Sequence, residues 1–356
     1  MAYGPHEGCT DRIVDVECGG SQLLDIYPAT AGGSRGTIVW VHGGGLFHGD
    51  KSVFHSAGPV LAQLERGWSV VSVNYRLLRP KDLPPPAPTT TTTTTTTEPT
   101  TTTTEPTTTT TEPTTTTTEP ATTTSAAVST TTEADSDSAA KKFRIRRGGP
   151  DPGQTPTSEL GLDNMYPAAV EDVTAAMRWV SDNGESYGVD TSRIVLAGHS
   201  AGGMLAAMIG LGWNSGEPLL ESAGRPDAWV TMAAPMDLAA LDVAVMMNAW
   251  LGPNAPELVS RLAPLGLIDP SDPPGYLAHG DMDNVVFPYH AVATEFVFGA
   301  VGLATKVRVD VVDRDAFGQP LSATARWHLP GDGVGSGAFD LFMDEVPAFM
   351  DEVPAA

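Results

Sequence analysis

The run IVLAGHSAGGML (residues 194–205) sets one serine, Ser200, between the glycines at 198 and 202. Ile194, Val195, Leu196 and Ala197 read as a short buried strand, and residues 204–211 read as a helix. A serine on that corner is G-x-S-x-G in the one context that makes the motif informative, a strand turning sharply into a helix. Glycines on either side tolerate the crowding such a turn imposes. The corner presents the Ser200 hydroxyl at the edge of a sheet. The helix behind it aims its first amides and the positive end of its dipole at any oxyanion forming there.

Working outward, a second motif supports the first. His42-Gly43-Gly44-Gly45 follows a β-branched run, GTIVWV (Gly36–Val41). Glycines there let backbone N–H groups approach a substrate oxygen with no side chain in the way. Gly44 and Gly45, with the amide of Ala201, are the expected three-donor oxyanion hole. Each donor is worth about 3–4 kcal/mol in a transition state.

The rest of the chain supplies the sheet those corners need. Residues 36–41, 68–75, 194–197, 229–233, 275–278 and 307–312 read as strands. Residues 57–66, 168–183, 204–211 and 289–298 read as helices, and Ala169, Val173, Ala176, Met177 and Val180 share one face of the second. Buried strands alternating with helices predict an α/β fold with a mostly parallel sheet covered on both faces.

A serine hydroxyl needs a base, and the base needs an orienting carboxylate. In this architecture the chain order is serine, acid, histidine. Three histidines follow Ser200. His279 closes a strand and reads as a loop-shaping residue, and His290 opens the next helix as a weaker candidate. His328, after the last strand, is the expected base. His199, adjacent to the nucleophile, points away from it on such a corner and reads as structural. The loop after residue 278 carries two carboxylates, Asp281 and Asp283.

Composition narrows the partners. Against 43 Asp and Glu stand 20 Lys and Arg, a formal net charge of −23. Such a surface repels phosphate backbones and anionic membranes, so neither nucleic acid nor membrane is an expected partner. The only cysteines, Cys9 and Cys18, match no metal or redox spacing, and no cofactor motif is present. The N-terminus lacks a basic start with an apolar run, so the chain as written is expected to be cytoplasmic; a leader removed upstream of residue 1 would make it secreted. From residue 87 to 140 the sequence is threonine with repeating EPTTTTT units, then a serine- and acid-rich tail. It cannot bury enough apolar surface to offset the entropy of ordering and is expected to be disordered. The predicted organisation is therefore residues 1–86 and 141–356 as one domain interrupted by the insertion 87–140, with residues 213–267 forming a small, partly helical cap.

The chain resembles an α/β-hydrolase, specifically the carboxylesterases of the hormone-sensitive-lipase-like group and the related acetylxylan and feruloyl esterases. The resemblance rests on LDIYPA (24–29), VHGGGLFHGD (41–50), VNYRL (73–77), YPAAVEDVTAAMRWV (166–180), RIVLAGHSAGGMLAA (193–207) and DPPGYLAHGDMDNVVF (272–287), in the family's order. In that family the loop H-G-x-x-D-x-x-V carries the acid on its aspartate. This implies Asp283 as the acid, with Asp281 second. It also implies a serine carboxylic-ester hydrolase, without metal or cofactor, acting on small-molecule esters of short-to-medium acyl chain through an acyl-enzyme. The alternatives within the fold are an acetylxylan or feruloyl esterase and a peptidase or amidase. A non-catalytic binding module is disfavoured by the intact set of serine, histidine, aspartate and glycine loop. Three features depart from the pattern. His199 stands where many relatives have an acid, His328 is framed by Trp327 and Leu329 rather than by glycine, and the insertion replaces a short loop.

Overall fold

Period-two alternation with apolar residues on both faces builds the centre of the molecule. The structure is a computed structural model that describes residues 22–30, 34–51, 63–80, 161–280, 283–303, 307–312, 348–349 and 352. All of them belong to one unit of the chain, Met1–Pro88 with Thr155–Ala356. The threonine-rich insertion, both cysteines, Asp281, His328 and most of the expected helix 57–66 lie outside the described residues.

Seven strands form the main sheet in the order β1-β3-β2-β6-β7-β8-β9: β1 (Leu24–Tyr27), β2 (Gly36–Val41), β3 (Trp68–Val73), β6 (Ile194–His199), β7 (Ala228–Met232), β8 (Gly275–Gly280) and β9 (Val307–Val312). Only β1 runs antiparallel, pairing Leu24 with Val73 and Tyr27 with Val70. The other pairs are parallel, with Val41 opposite Gly198 and His199 opposite Met232. Ile38, Trp40, Val70, Val195 and Ala197 pack into one core cluster. Their alternates Val39, Val41, Val71, Val73 and Leu196 pack into another, with Met177 and Val180 from helix α1 (Ala168–Asn183) and Met204 and Met208 from helix α2 (Ala201–Leu211). Burial on both faces explains why these strands read as continuous apolar runs. Of the cap range 213–267, residues 228–232 are the central strand β7; the two longest helices that follow it are α3 (Ala244–Leu251) and α4 (Ala255–Leu262). Helix α5 (Tyr289–Ala300) then leads to β9. None of the described helices is long and apolar enough to cross a membrane.

One charged residue interrupts the apolar face of α1. Asp172 is fully buried, and its carboxylate accepts from Arg76 Nε at 2.9 and 3.0 Å, from the Arg76 backbone N–H at 2.7 Å and from Gln22 Nε2. The cluster ties the exit of β3 to α1. Removing Arg76 would strand the buried Asp172 charge, a loss of about 3–5 kcal/mol. Just beyond, β4 (Arg79–Pro80) pairs antiparallel with β5 (Leu162–Asp163), so the chain on either side of residues 81–160 runs side by side.

Candidate active site

The site is built on the end of β6. Ser200 has φ 52° and ψ −124°, a left-handed backbone that costs a non-glycine residue about 1–3 kcal/mol. Hydrogen bonds on both sides hold it there. The Ser200 N–H donates to the Met232 carbonyl at 2.8 Å, and the Ser200 carbonyl accepts from the Met204 N–H at 2.9 Å as α2 begins. Helix α2 starts at Ala201, three residues earlier than the apolar pattern indicates. Gly202 and Gly203 hide its first turn, and the packing requires that smallness: a Cβ on Gly202 would overlap the carbonyls of Val41 and His42. Ala201 is the first residue of the helix, so its amide has no acceptor within the helix. Every residue of α2 is buried, so its dipole acts on Ser200 with little screening by water.

The glycine loop lies against this corner. A Cβ placed on Gly43 would sit 3.1 Å from Ser200 Cβ and 2.7 Å from His199 Nδ1. The loop curls through Gly44 (φ 118°) and Gly45 (φ 62°), and the Gly44 carbonyl accepts from the N–H groups of Phe47 (3.1 Å) and His48 (3.2 Å). A side chain on Gly44 would collide with the His48 carbonyl. The buried Tyr75 fixes the start of the loop. Its hydroxyl donates to the His42 carbonyl at 2.9 Å, and its ring stacks on the His42 imidazole at 4.4 Å. Burial lowers the His42 pKa, against the opposing pull of the Gly43 carbonyl 2.7 Å from Nδ1. The exit is anchored by Asn74, whose Oδ1 accepts from the Lys51 N–H and whose Nδ2 donates to Asp50 Oδ2 at 2.9 Å. The glycine loop is therefore packed, through Gly43, against the corner that carries Ser200.

Asp283 sits in the loop after β8, two strands from Ser200 in the sheet. Asp283 is buried, and its Oδ1 accepts from the N–H groups of Val285 (2.8 Å) and Val286 (3.0 Å). Those bonds stabilise the ionised carboxylate and fix its direction. His279 braces the loop: its Nε2 lies 2.8 Å from the Val286 carbonyl and 3.5 Å from Asp283 Oδ2. His290 is committed elsewhere. Its Nδ1 accepts from the N–H groups of Met236 (3.2 Å) and Asp237 (3.1 Å), and Nε2 faces Asp242 Oδ2 at 3.2 Å. Burial lowers its pKa, with Asp242 opposing. His199 packs against Gly43. His328 and Asp281 lie outside the described residues.

The segment after β7 closes over this edge. Asp242 Oδ2 also accepts from the Phe287 N–H at 2.8 Å, joining the segment to the acid loop. Four residues on, Met246 Sδ lies 3.7 Å from where a Cβ on Gly45 would be. Asp242 and Tyr75 were not singled out by sequence reading, and Met246 entered it only as part of the apolar cap segment 213–267. Tyr75 carried a signal, as the one aromatic ring at the end of a strand beside the glycine loop. Asp242 and Met246 depend on contacts across 45 and 201 residues, which no local pattern shows.

Among the described residues, no group of three or more His, Cys, Asp or Glu side chains is arranged to hold a metal ion.

A family profile, BD-FAE, matches residues 24–90 and 159–295 of the chain. Esterase LipQ of Mycobacterium tuberculosis is 29% identical over 187 residues, 48% of this chain and 43% of that protein. Esterase LipI of the same organism is 52% identical over 50 residues, 14% and 16% of the two chains. The chain thus spans less than half the length of these curated relatives. Among solved structures, a truncated carbohydrate esterase from gut microbiota superposes with TM-score 0.56 at 20% identity, covering 93% of this chain and 90% of that one. Esterase B from Lactobacillus rhamnosis superposes with TM-score 0.54 at 17% identity, covering 93% and 84%. At such identities the likeness establishes the fold, which is that of the α/β-hydrolases.

Proposed function

The chain belongs to the BD-FAE family, and from that premise we propose that it is a serine carboxylesterase, hydrolysing small-molecule esters of short-to-medium acyl chain through an acyl-enzyme on Ser200. Ser200 Oγ attacks the ester carbonyl while His328 takes its proton. The negative charge that develops on the carbonyl oxygen is met by the amides of Gly44, Gly45 and Ala201 and by the N-terminal end of α2. Asp283 holds the imidazole in the tautomer that can accept the proton and stabilises the imidazolium that results. Collapse of the tetrahedral intermediate breaks the bond to the alcohol, which leaves with the proton from His328. Water, deprotonated by the same histidine, then attacks the acyl-enzyme and restores the serine.

The observation that carries this reading is the strained Ser200 at the β6–α2 corner with the glycine loop packed on it. Strain at a residue so fully over-determined is a mark of a functional position. The commitments of His279 and His290 support His328 as the base by leaving neither a geometry suited to serve Ser200. The esterase names of LipQ and LipI support the reaction class.

Turnover of p-nitrophenyl acetate and butyrate tests the reading, alongside a dipeptide amide, a feruloyl ester and acetylated xylan. Ester hydrolysis that falls on the order of 10⁶-fold in Ser200→Ala is the expected result. Undiminished hydrolysis in that variant would overturn the assignment. Preference for the amide would reassign the chain to the peptidases of this fold, and preference for xylan or the feruloyl ester would move it to polysaccharide esters.

A further inference from the structure

Adjacent methionines on α3 have different surroundings. Met247 is 1% exposed and belongs to the core with Trp250 and Leu251, whereas Val245 on the other side is 78% exposed. Met246 lies between, half-buried, with its sulfur against Gly45. The helix carrying it is held at both ends. Before its first turn, Asp242 binds the acid loop through the Phe287 N–H and His290. At its far end the Trp250 carbonyl accepts from the Tyr166 N–H at 2.9 Å, and the two rings meet edge to face at 5.8 Å. Asp242, just before the helix, and Met246, in its first turn, are four residues apart. That short stretch therefore reaches from the loop carrying Asp283 to the loop carrying Gly45.

We propose that Met246 is the wall that sets the size of the acyl group, making it a specificity-determining residue for the esterase reaction. The inference rests on the serine-esterase reading above and names its substrate class more narrowly, as esters of short-chain acids. In the proposed reaction the alcohol leaves toward the base that Asp283 orients, and so on the side of the Asp283 loop. The acyl chain must therefore extend to the other side of the carbonyl carbon, past the glycine loop, where Met246 stands. A thioether there is apolar and adaptable, so it accommodates a few methylenes and resists a longer chain.

The test is kcat/KM for p-nitrophenyl acetate, butyrate, hexanoate and octanoate in the full chain and in Met246→Ala, Met246→Phe and the volume-conserving Met246→Leu. A second series keeps the acetyl group and varies the alcohol. Met246→Ala is expected to raise the octanoate-to-acetate ratio about tenfold or more, in the range that one or a few methylenes discriminate in an apolar pocket. Met246→Phe is expected to lower the ratio by a similar factor, and Met246→Leu to keep it within about threefold of the parent. Ratios unchanged in both the alanine and phenylalanine variants, or a shift confined to the alcohol series, would overturn the assignment of Met246. A parent chain that hydrolyses none of the four esters would instead overturn the esterase reading beneath it.

Discussion

Two imidazole–carboxylate pairs, His290 with Asp242 and His279 with Asp283, lie within one stretch of this molecule and have opposite characters. His290 is fully enclosed. Two backbone N–H groups donate to its Nδ1, so the proton must sit on Nε2, facing Asp242. Protonating Nδ1 would set N–H against N–H in a buried place, so this ring stays neutral and fixed. Its carboxylate partner also accepts from the Phe287 amide. That pair is a rivet between the segment after β7 and the acid loop. In the other pair the closest contact of His279 Nε2 is with a carbonyl rather than with the carboxylate, and Asp283 is oriented by the amides of Val285 and Val286. Here the imidazole shapes the loop and the backbone aims the acid. A His–Asp contact alone therefore does not identify catalytic partners; what matters is which of their atoms the surrounding backbone already occupies.

That contrast is sharpest in the paired variants Asp283→Asn and Asp242→Asn. If Asp283 orients the base, its amide loses about 10⁴ in kcat on p-nitrophenyl butyrate, the effect of holding a catalytic imidazole in the wrong tautomer. The Asp242 variant is expected to keep kcat within about tenfold. Equal losses in both would break the distinction between acid and rivet.

The next effect is on stability. His290→Ala leaves the N–H groups of Met236 and Asp237 and one carboxylate oxygen without this partner, and is expected to cost about 1–3 kcal/mol in urea unfolding. Its catalytic loss should be smaller than that of Asp283→Asn. A loss of kcat as large as that variant's would return His290 to the list of candidate bases.

The smallest effect is in pH. Burial lowers the folded-state pKa of both His290 and His42 below the ordinary value of 6.5. The unfolded chain then binds protons that the folded chain refuses, so stability is fully present above about pH 6.5 and falls on acidification. Each group contributes at most about 1.4 kcal/mol per pH unit within its window. Unfolding free energies measured from pH 8 to pH 5 should decline, and His290→Gln should decline less steeply. An identical slope in the variant would show that His290 carries a proton in the folded state.

The sheet was legible in the sequence wherever strands are buried on both faces, since GTIVWV and WSVVSV admit no other reading. The strands 36–41 and 307–312 kept both ends, and the ends of the others shifted by one or two residues because ladders stop where backbone partners stop. β1 was missed as a strand. LDIY is half polar, and its antiparallel place beside β3 comes from the topology, not from local pattern. Ser200 and the glycine loop were legible because their chemistry needs small residues at fixed spacing in a short piece of chain. Asp172 could have been noticed as a charge inside an apolar helix face. The pairing of His290 with Asp242 could not, since 48 residues separate them and nothing local marks either. Composition likewise cannot separate Met246 from Met247, because only the direction of one helix turn tells them apart.

Reaction of the native chain with a fluorophosphonate, followed by peptide mapping, tests the central claim most directly. One stoichiometric adduct on Ser200, absent from Ser200→Ala and slowed severely in Asp283→Asn, is the expected result. An adduct on another residue, or ester hydrolysis that persists with Ser200 unmodified, would contradict the claim that this corner is the seat of the chemistry.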